Sequence, residues 1–107
     1  LDQRLQHAIL TGLQKNQYQI DFIARKLGVS VRQLQRHLQQ QNATFQERVQ
    51  EVRFMLATEY LKDPHLSLQE IALLLCYSEQ SAFQRAFKFW TGLTPQQWRK
   101  NNTIYSS

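Results

Sequence analysis

A chain of 107 residues is long enough for one domain, or for two small lobes on a shared scaffold. Its 42% hydrophobic content suits a packed core and excludes a disordered tail. No apolar run approaches the roughly 20 residues of a membrane span, and the opening LDQRLQHAIL lacks the features of a signal peptide. A formal charge of +5 and a pI near 9.7 favour polyanionic partners, while a single cysteine, Cys76, precludes an internal disulfide and fits a reducing cytoplasm.

With three Gly, two Pro and no alternating apolar pattern, the chain reads as all-α. Seven helices are expected, at about residues 2–14, 19–27, 31–41, 45–62, 68–75, 79–91 and 95–100. In the first, Leu5, Ala8, Ile9, Gly12 and Leu13 share one face. Four helix starts carry the Ser/Thr-x-x-Glu/Gln capping box: Ser30 to Gln33, Thr44 to Glu47, Ser67 to Glu70 and Thr94 to Gln97. Pro95 suits a first helical position, where its missing N–H costs nothing, and Pro64 stops the long central helix. Along that helix Phe45, Val49, Val52, Leu56 and Tyr60 form one stripe, broadened by Met55, Ala57 and Leu61. Thr103 to Ser107 reads as a frayed tail.

The second and third helices recur as the fifth and sixth. Ile23-Ala24, Leu27 and Ser30 reappear 48 residues on as Ile71-Ala72, Leu75 and Ser78. Beyond the turn the offset is 49, so Leu34-Gln35-Arg36 becomes Phe83-Gln84-Arg85 and Leu38 becomes Phe87. A short helix, a tight turn and a second helix make a helix-turn-helix, whose second helix enters a major groove. Ala24 and Ala72 are small where the paired helices approach, and Gly28 stands where a positive φ is expected. Ser30 and Ser78 are expected to cap the second helices, whose starts can hold a phosphate, as can that at Thr94.

If Val31, Leu34 and Leu38 face inward, Arg32, Arg36 and Gln39 face outward, with Gln33 and Gln35 on the shoulders. In the second copy Phe83, Ala86, Phe87 and Trp90 go in, and Ser81, Arg85 and Lys88 go out beside Gln80, Ala82 and Gln84. Arg pairs bidentately with guanine O6/N7, and Gln with adenine N6/N7. One such stripe alone reads more simply as a solvated helix face. Two, each on the second helix of its own helix-turn-helix, favour DNA.

The residues Ile23-Ala24, Gly28-Val29-Ser30, Leu34-Gln35-Arg36 and Arg53, then Glu70-Ile71-Ala72, Tyr77-Ser78, Phe83-Gln84-Arg85-Ala86-Phe87, Thr91-Gly92-Leu93-Thr94-Pro95 and Trp98-Arg99, resemble the DNA-binding domain of AraC/XylS-type bacterial transcription regulators. The resemblance covers nearly the whole chain. It implies a homeodomain-like, all-α fold with two helix-turn-helix subdomains (1–43 and 64–107) joined by a linker helix (44–63). It also implies that Arg32, Gln35, Arg36, Gln80, Ser81, Ala82 and Arg85 face bases of promoter DNA. Two departures stand out: Cys76 occupies the place of a turn glycine, and Asn42 replaces another. Asn tolerates the left-handed region, whereas Cys76 there costs on the order of 1 kcal/mol.

A central helix of about 18 residues is roughly 27 Å long, against about 34 Å for one turn of DNA, so two recognition helices in successive major grooves are expected. The start without methionine points to an effector-sensing or dimerising domain outside this segment, and RNA polymerase is a further expected partner. His7, His37 and His65 form no metal set, although His37 is placed to touch a phosphate. No phosphate loop or activated nucleophile is present, so neither a cofactor nor an enzyme is expected. Trp90, Trp98 and the six Phe read as core, the role of Arg53 is open, and Cys76 reads as a turn thiol in preference to a redox sensor. The competing functions are the DNA-binding module of a recombinase or transposase, whose catalytic residues would lie elsewhere, and a helical protein-interaction module. A cytoplasmic, nucleoid-associated regulator is the expected setting.

Overall fold

The computed structural model describes the backbone of residues 2–106 and the side chains of residues 2–101. It contains α1 (Asp2–Gln14), α2 (Ile20–Leu27), α3 (Val31–Gln40), α4 (Phe45–Leu61), α5 (Leu68–Leu74), α6 (Gln80–Thr91) and α7 (Pro95–Ser106), with no strand among the described residues. None of these helices is long and apolar enough to cross a membrane. Where a frayed end is expected, α7 continues to Ser106, because no Gly or Pro follows Pro95 to stop it. Ser107 lies outside the described residues.

The chain divides into two compact units, residues 1–53 and 54–107, with the boundary inside α4. In the first unit Leu5, Ala8, Ile9 and Leu13 of α1, Ile23, Ala24 and Leu27 of α2, Leu34 and Leu38 of α3, and Val49 and Val52 of α4 are buried. Helix α1 meets α2 at Gly12, where a Cβ would stand 2.6 Å from the carbonyl oxygen of Gln17 and 3.1 Å from Ile23 Cδ1. Hydrogen, not carbon, fits that contact.

In the second unit Ala57, Leu61, Leu68, Ile71, Ala72, Leu75, Phe83 and Phe87 form the core. Phe87 is ringed by Phe54, Phe83, Trp90 and Trp98, with centroids 5.9–6.3 Å away. The expected stripe on α4 shifts here. Ala57 and Leu61 are fully buried, whereas Leu56 and Tyr60 are only partly so. Two of the expected core aromatics are also surface residues. Phe22 is 42% exposed, beneath the guanidinium of Arg25 at 5.8 Å, and Phe89 is 87% exposed. Helical spacing alone could not exclude them, because several faces of a helix can carry aromatics while only one meets the core.

Three further cations act within the units. The Arg99 guanidinium donates to the carbonyls of Leu61 (3.0 Å), Asp63 (3.2 Å) and Leu66 (2.8 Å), fastening α7 to the segment after α4. Arg4 Nη2 donates to the Leu27 carbonyl at 3.2 Å, and Arg53 lies over the Tyr18 ring at 5.1 Å. The last gives Arg53, whose role the sequence leaves open, a structural contact.

Candidate nucleic-acid interface

The two helix-turn-helix copies close their turns with the same hydrogen bonds. In the first, Gly28 N–H donates to Arg25 O at 3.1 Å and Val29 N–H to Ala24 O at 3.1 Å. In the second, Cys76 N–H donates to Leu73 O at 3.0 Å and Tyr77 N–H to Ala72 O at 3.0 Å. These are Schellman closures, which need a left-handed residue just past the helix. Gly28 has φ 75 and Cys76 has φ 66, so Cys76 does occupy a glycine's conformation. Asn42 (φ 55) closes α3 in the same way, and Asn16 (φ 56), which the sequence did not single out, closes α1.

All four expected capping boxes form. Ser30 Oγ accepts from Gln33 N–H at 3.0 Å while Gln33 Oε1 accepts from Ser30 N–H at 2.9 Å. Thr44 with Glu47, Ser67 with Glu70, and Thr94 with Gln97 repeat the exchange. Ser78, however, does not cap α6. The N-cap is Glu79, at φ −154, with no side-chain capping bond. The reason is the extra residue that changes the repeat offset from 48 to 49: it follows Ser78 and takes the cap position. Ser78 is exposed one residue outside the helix.

On α3, Leu34 and Leu38 are buried, and Arg32, Gln33, Gln35, Arg36 and Gln39 are exposed. Gln33 differs from the rest, because its carbonyl oxygen is held by its own helix start. On α6, Phe83 and Phe87 are buried, and Ser81, Arg85 and Lys88 are exposed, while Gln80, Ala82 and Gln84 are half-buried. Among the described residues no side-chain hydrogen bond or ion pair engages Arg32, Arg36, Arg85 or Lys88. Each unit therefore presents cations and amides, uncommitted within the protein, on the second helix of its helix-turn-helix. Such a surface can neutralise phosphates and donate to base edges.

His37 is otherwise occupied, since its Nε2 lies 3.0 Å from Asp2 Oδ1. Gln41 Nε2 donates to both oxygens of the same carboxylate, at 2.8 and 3.1 Å, and Arg48 donates to Gln41 Oε1 at 3.1 Å. The bonds from His37 and then Gln41 hold the Asp2 carboxyl below its ordinary value of 3.8. This network ties the start of α1 to the end of α3. Sequence reading missed it, along with the anchoring by Arg4 and Arg99, because each joins residues far apart in the chain. No group of His, Cys, Asp and Glu among the described residues could hold a metal ion.

Comparison with known proteins places this geometry among relatives. Residues 23–101 match a family described as a helix-turn-helix domain. The chain is 46% identical over 77 residues to the ornithine utilization regulator of Pseudomonas aeruginosa, which covers 72% of this chain and 23% of that protein. It is 36% identical over 96 residues to the probable transcription factor PqrA of Proteus vulgaris, covering 88% of this chain and 79% of the relative. The chain thus spans about a quarter of the first relative's length and most of the second's. A crystal structure of a DNA-binding transcriptional dual regulator from Escherichia coli K-12 superimposes with a TM-score of 0.90, over 96% of this chain and 92% of that one. At 19% identity that likeness shows the fold.

Proposed function

Because the chain belongs to the AraC-type helix-turn-helix family, we propose that this DNA-binding transcription-regulator domain reads promoter sequence with α3 and α6 together. The observation that carries this reading is the doubled motif: two helix-turn-helix turns of identical bonding, each followed by a helix with exposed cations on its outer face, Arg32 and Arg36 on α3 and Arg85 and Lys88 on α6. Arg32, Gln35, Arg36 and Gln39 read bases from α3. Gln80, Ser81, Ala82, Gln84, Arg85 and Lys88 do so from α6. Gln33 contributes mainly through the helix start that it holds. Ser30 and Thr94, at capped helix starts, and the exposed Ser78 are the proposed phosphate contacts. With one recognition helix in each unit, the two contacts fall in successive major grooves on one face of the duplex. The domain acts in the bacterial cytoplasm, and effector sensing, dimerisation and contact with RNA polymerase fall to the longer protein in which such domains occur.

Selection of bound duplexes from a random library, at near-physiological salt, tests the proposal. Two short motifs about one helical turn apart are expected. Arg36→Ala and Arg85→Ala should each lose about 1–3 kcal/mol and relax preference at one base pair. A loss uniform across all sequences would make these arginines phosphate contacts instead, and no enrichment at all would refute sequence reading by this domain.

A further inference from the structure

Phe89 is the most exposed large apolar residue among those described, at 87%. Helix geometry places it on the face already identified. At about 100° per residue, Phe89 lies roughly 40° around α6 from Arg85, Ala82 roughly 60° to the same side, and Ser81 and Lys88 on the other side. The buried Phe83 and Phe87 are both about 160° away from Arg85, so packing gives Phe89 no reason to be apolar. The repeat supplies an internal comparison. The matching position of the first copy is Gln40, an exposed amide.

The same exchange occurs twice more. Arg25 and Lys26 of the first copy correspond to Leu73 and Leu74, which are 62% and 43% exposed. The first unit holds eight Lys and Arg against four Asp and Glu, and the second holds five against four. One of those five, Arg99, is committed to three backbone carbonyls. The second unit therefore has less charge with which to grip phosphates, and more apolar surface on its outer faces. In a major groove the apolar group offered by a base pair is the thymine C5-methyl, which Ala and Phe side chains contact.

We propose that Phe89, flanked by Ala82, is a specificity-determining residue that contacts the C5-methyl group of a thymine beside the base pair faced by Arg85. The inference rests on the reading of α6 as a recognition helix. One turn of helix separates Phe89 from Arg85, about 6 Å along the axis, so the thymine lies within about two base pairs at roughly 3.4 Å per step.

The test uses the full chain and the duplex enriched by selection, with each thymine in turn replaced by uracil, which deletes only the methyl group. One position in the α6 half of the site should weaken binding about fourfold, the value for one methylene-sized apolar group buried. In Phe89→Ala that uracil penalty should vanish, while the base preference assigned to Arg85 and the far-UV circular dichroism stay unchanged. Uracil that is neutral at every position overturns the inference and leaves the recognition reading standing. So does a penalty that persists in Phe89→Ala and disappears in Ala82→Gly. Loss of the Arg85 base preference in Phe89→Ala would also overturn it, since the contact is local. Failure to enrich any duplex would remove both the recognition reading and this inference.

Discussion

Replacing Cys76 by glycine removes a Cβ from a residue held at φ 66. The left-handed conformation costs an L residue roughly 1–2 kcal/mol. Against this, glycine loses roughly 0.5–1 kcal/mol through its greater freedom in the unfolded chain. The balance is a gain of about 0.5–1 kcal/mol, or a rise in Tm of about 3–6 °C for a unit of this size. Gly28 supplies the mirror experiment, because it closes the equivalent turn at φ 75 and a Cβ there would meet nothing within 4 Å. Gly28→Ala therefore isolates backbone strain and should lose about the same 0.5–1 kcal/mol. Cys76→Ala keeps the Cβ and its strain while removing the sulfur. Urea unfolding followed by far-UV circular dichroism gives all three values. Cys76→Gly must exceed Cys76→Ala in stability. If it does not, the turn carries no left-handed strain and the reasoning fails.

Other perturbations address different contacts. Arg99→Met removes the guanidinium donor from the carbonyls of Leu61, Asp63 and Leu66, of which Asp63 keeps the Leu66 N–H, and should cost about 2–4 kcal/mol in urea unfolding, given that hydrogen bonds to charged groups contribute ~1.5–3 kcal/mol each and are partly replaced by water here. A change within 0.5 kcal/mol would show that the clamp is dispensable. Gly12→Ala drives a Cβ against the Gln17 carbonyl and should destabilise by at least 1–3 kcal/mol, roughly the cost of overpacking. An unchanged unfolding midpoint would mean that α1 and α2 separate without penalty. Asp2 has a depressed pKa, so its bonds stabilise the folded state above the ordinary 3.8 and are lost as pH falls through the folded value. Asp2→Asn should therefore be less stable than the parent at neutral pH and converge with it in acid. A constant difference across that range would remove the ionised carboxylate as the cause.

The sequence by itself determined what is local. Four capping boxes fixed four helix starts, because the side chain and the backbone group it satisfies lie three residues apart. The inner stripes of α1, α3 and α6 followed from period alone, and the repeat of Ala24, Gly28 and Arg36 as Ala72, Cys76 and Arg85 revealed the doubled motif before any coordinates. The tertiary structure decided what depends on which partner arrives. It set Arg99 on three carbonyls some 33–38 residues away and Asp2 on His37 across 35 residues, pairings that no local pattern encodes. It moved the cap of α6 from Ser78 to Glu79, since one inserted residue shifts where helical dihedrals begin. It also put Phe89 in solvent beside Arg85 rather than in the core with Phe87. An aromatic side chain lowers its free energy wherever it is covered, and only packing decides which faces of a helix the protein itself covers.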